Sequence, residues 1–279
     1  MVQNELTRAA SEKYEKLVEL LSDMDGAVVA FSGGVDSTLL LAAAVEALGD
    51  RVLAVSGLSP SYPEREMRDA RELALRLGAR LRTIQTDEMS DPAYFENPKN
   101  RCFHCKSHLF DALLKIADEE GCERVLDGTN ADDAGDFRPG IRAAREKGVT
   151  SPLMEVGFGK EEIRILLKRK GLPVWNKPAQ ACLASRIPYG RDITEAKLKR
   201  IAVAEDSIRE LGFLTVRVRH WEHLAVVEVG QEELDRLFEQ GMREKVKAAA
   251  KAAGYKRVAF DSDGYLSGSL NLTLSGPPE

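Results

Sequence analysis

Four short segments that read as strands, at residues 27–31 (AVVAF), 52–56 (VLAVS), 80–85 (RLRTIQ) and 124–126 (RVL), alternate with longer stretches whose apolar residues recur at helical spacing. The helical stretches cover residues 36–48, a segment with Met67, Ala70, Leu73, Ala74 and Leu77, and another with Leu109, Phe110, Leu113, Leu114 and Ala117. Tyr14, Leu17, Val18 and Leu21 share one helical face ahead of the first run. Strict alternation of strand and helix implies right-handed crossovers, which build a parallel sheet with helices on both faces. The expected fold is therefore α/β, a doubly wound parallel sheet. Residues 151–154 are expected to add a last short strand before a helix with Ile163, Leu166 and Leu167.

Past YGRD the pattern changes, so a first domain is expected over residues 1–188 and a second over 189–279. The second reads as a small α+β domain. It has a long helix (Leu198, Ile201, Ala204, Ile208, Leu211), the alternating strands FLTVRVRH and HLAVVEV, two short helices and a strand over Arg257–Phe260. The tail from residue 263 is rich in turn formers and is expected to be poorly ordered or draped on a neighbour. A chain of 279 residues can bury a core without disulfides or metal. The longest apolar stretch, residues 39–48, is broken by Glu46 and is too short for a membrane span. The first residues lack a secretory pattern, so the expected compartment is the cytoplasm. A net charge of −5 argues against broad nucleic-acid binding, which draws on clustered Lys and Arg, and leaves room only for a local basic groove.

FSGGVDSTL, residues 31–39, joins the first strand to the first crossover helix. Such a turn aims several amides and a helix dipole at one point, and phosphate suits that point. Gly33 and Gly34 permit close approach, Ser32 and Ser37 offer hydroxyls, and Asp36 beside a phosphate suits a Mg²⁺ contact. The same residues also suit a plain strand-to-helix turn in which Asp36 caps the helix. The loop lacks the Lys of a Walker loop and the third Gly of a dinucleotide fingerprint.

SGGVDS resembles the PP-loop of the ATP pyrophosphatase family, which implies cleavage of ATP between its α and β phosphates and an adenylated substrate. The later segment VLDGTNADDAGDFRPG places Gly128, Thr129, Asn130, Asp132 and Asp133 at a neighbouring strand end, where open α/β sheets bind ligands. Nucleotide contact and helix capping are both open to the Asp pair.

Of four cysteines, Cys102 and Cys105 form a CxxC expected just before a helix, and Cys182 lies in KPAQACLASRIPYG. Three thiolates plus His104 or His108 would make a zinc site; three thiolates alone would leave one iron of a 4Fe-4S cluster open. Cys122 is assigned to packing.

SGGVDS, GTNADD with DFRPG, KPAQACLASRIPYG and VRVRHWEHLAVVEV together resemble the LarE sulfur transferases over nearly the whole length. That resemblance implies an adenine nucleotide alpha-hydrolase-like PP-loop domain and adenylation of the carboxylates of a pyridinium biscarboxylate mononucleotide. Sulfur then displaces AMP, in two rounds, on the way to the nickel-pincer cofactor of lactate racemase. Some members sacrifice the sulfur of the Cys matched by Cys182. Others carry CxxC plus that Cys and are thought to hold a 4Fe-4S cluster bearing hydrosulfide, and the chain resembles these. The family further implies that Arg217 and Arg219 hold the substrate phosphate with Glu205 and Glu228 nearby, and that the protein is a homohexamer fed by a sulfide donor. Without the resemblance, alternating arginines read as the solvated side of a strand. Ser185 and Arg186 follow Cys182 as candidate catalytic groups, Lys177 is a candidate phosphate contact, and His220 and Trp221 are candidate stacking partners. A tRNA thiolase and a nonenzymatic ATP-binding protein with a zinc-stapled loop are the competing readings.

Overall fold

A computed structural model describes residues 2–135, 139–178 and 181–266. Residues 136–138 of DFRPG, Ala179 and Gln180 of KPAQACLASRIPYG, and the tail from 267 lie outside the described residues. The chain forms two compact units: Met1–Tyr94 with Lys99–Gln180, and Phe95–Pro98 with Ala181–Glu279.

In the first unit α1 (Val2–Ser22) leads into β1 (Ala27–Ala30), α2 (Val35–Leu48), β2 (Val52–Leu58), α3 (Glu64–Arg76) and β3 (Arg80–Gln85). The short α4 (Pro92–Phe95), then α5 (Arg101–Glu120), β4 (Arg124–Leu126), α6 (Pro139–Glu146), α7 (Pro152–Val156) and α8 (Lys160–Arg169) follow. All strand pairs are parallel, in the order β3-β2-β1-β4. Side chains alternate across the sheet. Ala27, Val29, Val52, Ala54 and Leu126 join a core with α1, α2, α3 and α8, while Val28, Leu53, Val55 and Val125 pack under α5 and α6. Burial on both faces explains why β1, β2 and β4 read as unbroken apolar runs. β3 is an edge strand whose Arg80 and Arg82 pair with Glu120 and Glu119.

The strand expected at 151–154 is instead α7. Pro152 lacks the N–H a ladder needs and suits the first turn of a helix, with Ser151 at the N-cap position, so pairing stops one residue earlier, with Thr150 bridging Leu126. Helix α6 had no expected counterpart.

The second unit holds α9 (Glu195–Glu210), β5 (Val216–Trp221), β6 (Leu224–Val229), α10 (Leu234–Phe238), α11 (Met242–Ala252) and β7 (Arg257–Phe260). β5 and β6 are antiparallel, β6 and β7 parallel, and Ala204, Ile208, Val218, Val227, Val246 and Ala250 fill its core. The unit comprises Ala181–Glu279 together with Phe95–Pro98. Asn97 explains that: fully buried, with φ +55°, it donates from Nδ2 to the Pro188 carbonyl at 2.8 Å and accepts from Gly190 N at 3.0 Å. Asn is among the residues that tolerate this left-handed backbone.

Candidate active site

β1 and β4 are neighbours, and the chain leaves them in opposite directions along the sheet, so the crevice at their carboxyl ends is the topological switch point. FSGGVDS lies there. Gly33 has φ +64°, and a Cβ on it would fall 2.8 Å from that of Ala70, so only glycine fits. Helix α2 has Gly34 as N-cap and no side-chain cap, leaving its first amides and its dipole to face an anion. The Ser32 and Ser37 hydroxyls lie 3.1 Å apart, folded onto the loop, and the Tyr62 hydroxyl donates to the Ser32 carbonyl.

The loop after β4 packs directly on this turn. A Cβ at Gly128 would lie 2.9 Å from Ser37 N. Asn130 Nδ2 donates to Asp36 Oδ1 at 3.2 Å, and the Lys160 ammonium pairs with Asp36 Oδ2. Ser32, Gly33, Gly34, Asp36, Ser37 and Gly128 therefore come together. Asp132 accepts from Lys160 N at 2.7 Å, capping α8, and the Thr129 hydroxyl donates to Asp127 at 2.7 Å. Lys177 lies 2.6 Å from the buried Glu66 and 3.0 Å from Asp69 on α3. Lys160 and Tyr62 went unnoticed in the sequence. A cation at the first position of a helix opposes its dipole, and that anomaly was the available signal for Lys160. The assembly can hold a polyphosphate, and the hard oxygens of Asp36 suit Mg²⁺.

Cys102 and Cys105 lie in the first two turns of α5 rather than ahead of it, one turn apart, Cys102 exposed and Cys105 half-buried. His108 Nε2 meets Asp91 at 3.0 Å and His104 Nδ1 meets it at 3.8 Å, holding that carboxyl below its usual range, with the His108 hydrogen bond the main cause. Among the described residues, no three His, Cys, Asp or Glu form a metal-binding group. Thiolates one turn apart at a helix start are nevertheless the donor type that iron–sulfur clusters take.

In the second unit Cys182 immediately precedes the short turn Leu183–Arg186. Arg186, 1% exposed, sends Nη1 to the carbonyls of Ala181 (2.8 Å) and Cys182 (3.0 Å) and to Ser185 Oγ (2.9 Å). It thus clamps the cysteine loop from below. Its Nε reaches Glu205 at 2.7 Å, and Glu205 also accepts from Arg209 (2.7 Å) and Val218 N (3.0 Å). Burial alone would raise the Glu205 carboxyl, but the charge and hydrogen bond of Arg186, with Arg209 and Arg217, hold it below the usual carboxylate range. Arg219 makes a two-pronged bond to Glu228 at 2.7 and 2.8 Å and donates to the Ser185 carbonyl at 2.9 Å. Arg217 lies 4.8 Å below the Tyr265 ring. Its guanidinium is pushed below the ordinary arginine range by burial and then by Arg186. Neither arginine is solvated; both belong to a layer with more guanidinium than carboxylate charge, which suits an anion. His220 is buried against Tyr255, while Trp221 is half-exposed on the opposite side of the strand.

Residues 11–110 match the NAD synthase family. Over 94% of the chain and 98% of the relative, the sequence is 42% identical to an uncharacterized protein of Synechocystis sp.. It is 29% identical to an uncharacterized protein of Methanocaldococcus jannaschii over 86% of the chain and 90% of that relative. It is 36% identical to the pyridinium-3,5-bisthiocarboxylic acid mononucleotide synthase of Lactiplantibacillus plantarum over 94% of the chain and 95% of that enzyme. With a PP-loop at the switch point of a parallel sheet and that similarity across both units, the chain belongs to the LarE family of PP-loop enzymes.

Proposed function

We propose that the chain is an ATP-dependent sulfur insertase that converts both carboxylates of pyridinium-3,5-biscarboxylic acid mononucleotide to thiocarboxylates. The observation that carries this reading is the 36% identity, across 94% of the chain, to a synthase of the bisthiocarboxylic product. A substrate carboxylate oxygen attacks the α-phosphorus of ATP, the bond to pyrophosphate breaks, and an acyl adenylate forms. Sulfide then adds to the acyl carbon, and AMP leaves with the electron pair of the broken C–O bond.

Ser32, Gly33, Gly34 and Ser37 with the α2 amides hold the phosphates, Asp36 places Mg²⁺, and Gly128, Thr129 and Asp132 shape the opposite wall. Arg217 and Arg219 hold the substrate phosphate, their charge tempered by Glu205 and Glu228. Arg186 and Ser185 orient the loop of Cys182. Cys102, Cys105 and Cys182 are the proposed ligands of a 4Fe-4S cluster, which when bound supplies an open iron for hydrosulfide. Cysteine thiolates are the donor type such a cluster takes. No described helix is long and apolar enough to cross a membrane. We place the protein in the cytoplasm as a homohexamer served by a separate sulfide donor.

The test is anaerobic turnover of the iron- and sulfide-reconstituted chain with ATP, Mg²⁺, sulfide and the biscarboxylate mononucleotide. Pyrophosphate release and a thiocarboxylate by mass spectrometry are expected only with the mononucleotide. Pyrophosphate release with tRNA and none with the mononucleotide would overturn the assignment.

A further inference from the structure

Both oxygens of Asp36 already have partners, Asn130 on Oδ1 at 3.2 Å and the Lys160 ammonium on Oδ2. The backbone that carries Lys160 is anchored. Lys160 N donates to Asp132 at 2.7 Å, Gly159 N donates to Glu162 Oε2 at 2.8 Å, and that carboxylate is paired with Lys13 at 2.7 Å. The Lys160 side chain, 36% exposed, is the part left to swing. An ammonium on a carboxylate oxygen keeps a divalent cation from the same atom, because like charges about 4 Å apart repel by several kcal/mol at the dielectric of a protein surface. A polyphosphate seated on the α2 amides alters this balance. It offers the ammonium several anionic oxygens in place of one, and charge-assisted bonds to phosphate are the stronger partners.

We propose that Lys160 is an internal counter-ion that occupies Asp36 until a nucleotide arrives, then turns to the polyphosphate and yields the carboxylate to a divalent cation. Metal binding at Asp36 is thereby conditional on nucleotide. The proposal rests on the reading of this loop as an ATP site. It makes Lys160 a positioning residue: the ammonium places the metal by leaving.

The experiment uses the full-length chain with Mn²⁺ as the probe, its free fraction read by electron paramagnetic resonance, with and without a nonhydrolysable ATP analogue. In nucleotide-free protein, Lys160→Gln is expected to bind Mn²⁺ at least about fivefold more tightly than wild type, as loss of a partly buried ion-pair partner implies. Lys160→Arg should exclude Mn²⁺ as wild type does, and adding Asp36→Asn to Lys160→Gln should abolish the gain. Thermal melting confirms folding, and Lys160→Met replaces the glutamine variant if that one unfolds. Analogue binding by wild type combined with equal nucleotide-free Mn²⁺ affinity in wild type and Lys160→Gln overturns the exchange alone. Failure of wild type to bind the analogue at all overturns the ATP site itself, and the exchange with it.

Discussion

Arg186 and Glu205 are buried together, their side chains 1% and 0% exposed, with Nε 2.7 Å from Oε1 and Nη2 3.1 Å from Oε2. Glu205→Gln keeps the shape and deletes a fully buried negative charge set among three guanidiniums. Stability is expected to fall by about 3–5 kcal/mol, the usual result of stripping one partner from a buried ionic group, and a urea titration reads it directly. Because the folded-state carboxyl titrates below its ordinary 4.5, the contribution is complete above that pH. It is lost as acid approaches the depressed value, so wild type should lose part of its margin over the variant there.

His220 gives a second and separate acid dependence. It is 2% exposed with Nδ1 3.0 Å from the Tyr255 hydroxyl, and burial lowers its pKa from 6.5 to about 4. The unfolded chain takes up this proton near pH 6.5 while the folded chain does not. Stability is therefore full above 6.5 and declines as pH falls toward 4, by about 2–3 kcal/mol at the lower end. Urea midpoints at pH 7 and pH 5 should converge in His220→Phe.

Gly33 and Gly128 should fail in different ways. Gly33→Ala meets both a positive φ and a 2.8 Å clash with Ala70, so a stability loss of about 1–3 kcal/mol should accompany lost nucleotide binding. At Gly128 the φ is ordinary for any residue and the clash is with Ser37 N at 2.9 Å. Gly128→Ala should push the turn off its wall, costing about tenfold or more in nucleotide affinity by calorimetry with a smaller change in melting temperature.

Iron counting after anaerobic reconstitution checks the thiols. Cys102→Ala, Cys105→Ala and Cys182→Ala should each lose cluster absorbance, whereas Cys122→Ala, whose thiol packs near Gly26, should retain it. Equal iron in all four variants would remove the ligand assignment.

Local sequence carried the inner strands because each is a closed local problem: Val52, Leu53, Ala54 and Val55 have apolar neighbours on both faces, so an unbroken run suffices. The phosphate turn was legible for a similar reason, since Gly33 answers a backbone requirement that no other residue meets. Long-range pairings were not. Nothing near Arg186 in the chain reveals that Glu205, nineteen positions on, neutralises it. Asp132 and Lys177 illustrate the same limit: partners distant in the chain, the α8 amide and Glu66, decide their contacts. Residues 151–154 misled because a short apolar run fits strand and helix alike, and Pro152 settled it.

Asn97 has a practical consequence. Its side chain ties down carbonyls of the Ile187–Pro188 corner, yet it arrives from a part of the chain more than eighty positions upstream. A fragment started at Ala181 would leave those oxygens bare, so dissecting this protein by truncation would damage the very piece it sought to isolate. The C-terminal unit is no portable cassette; any attempt to swap or express it must bring Phe95–Pro98 along.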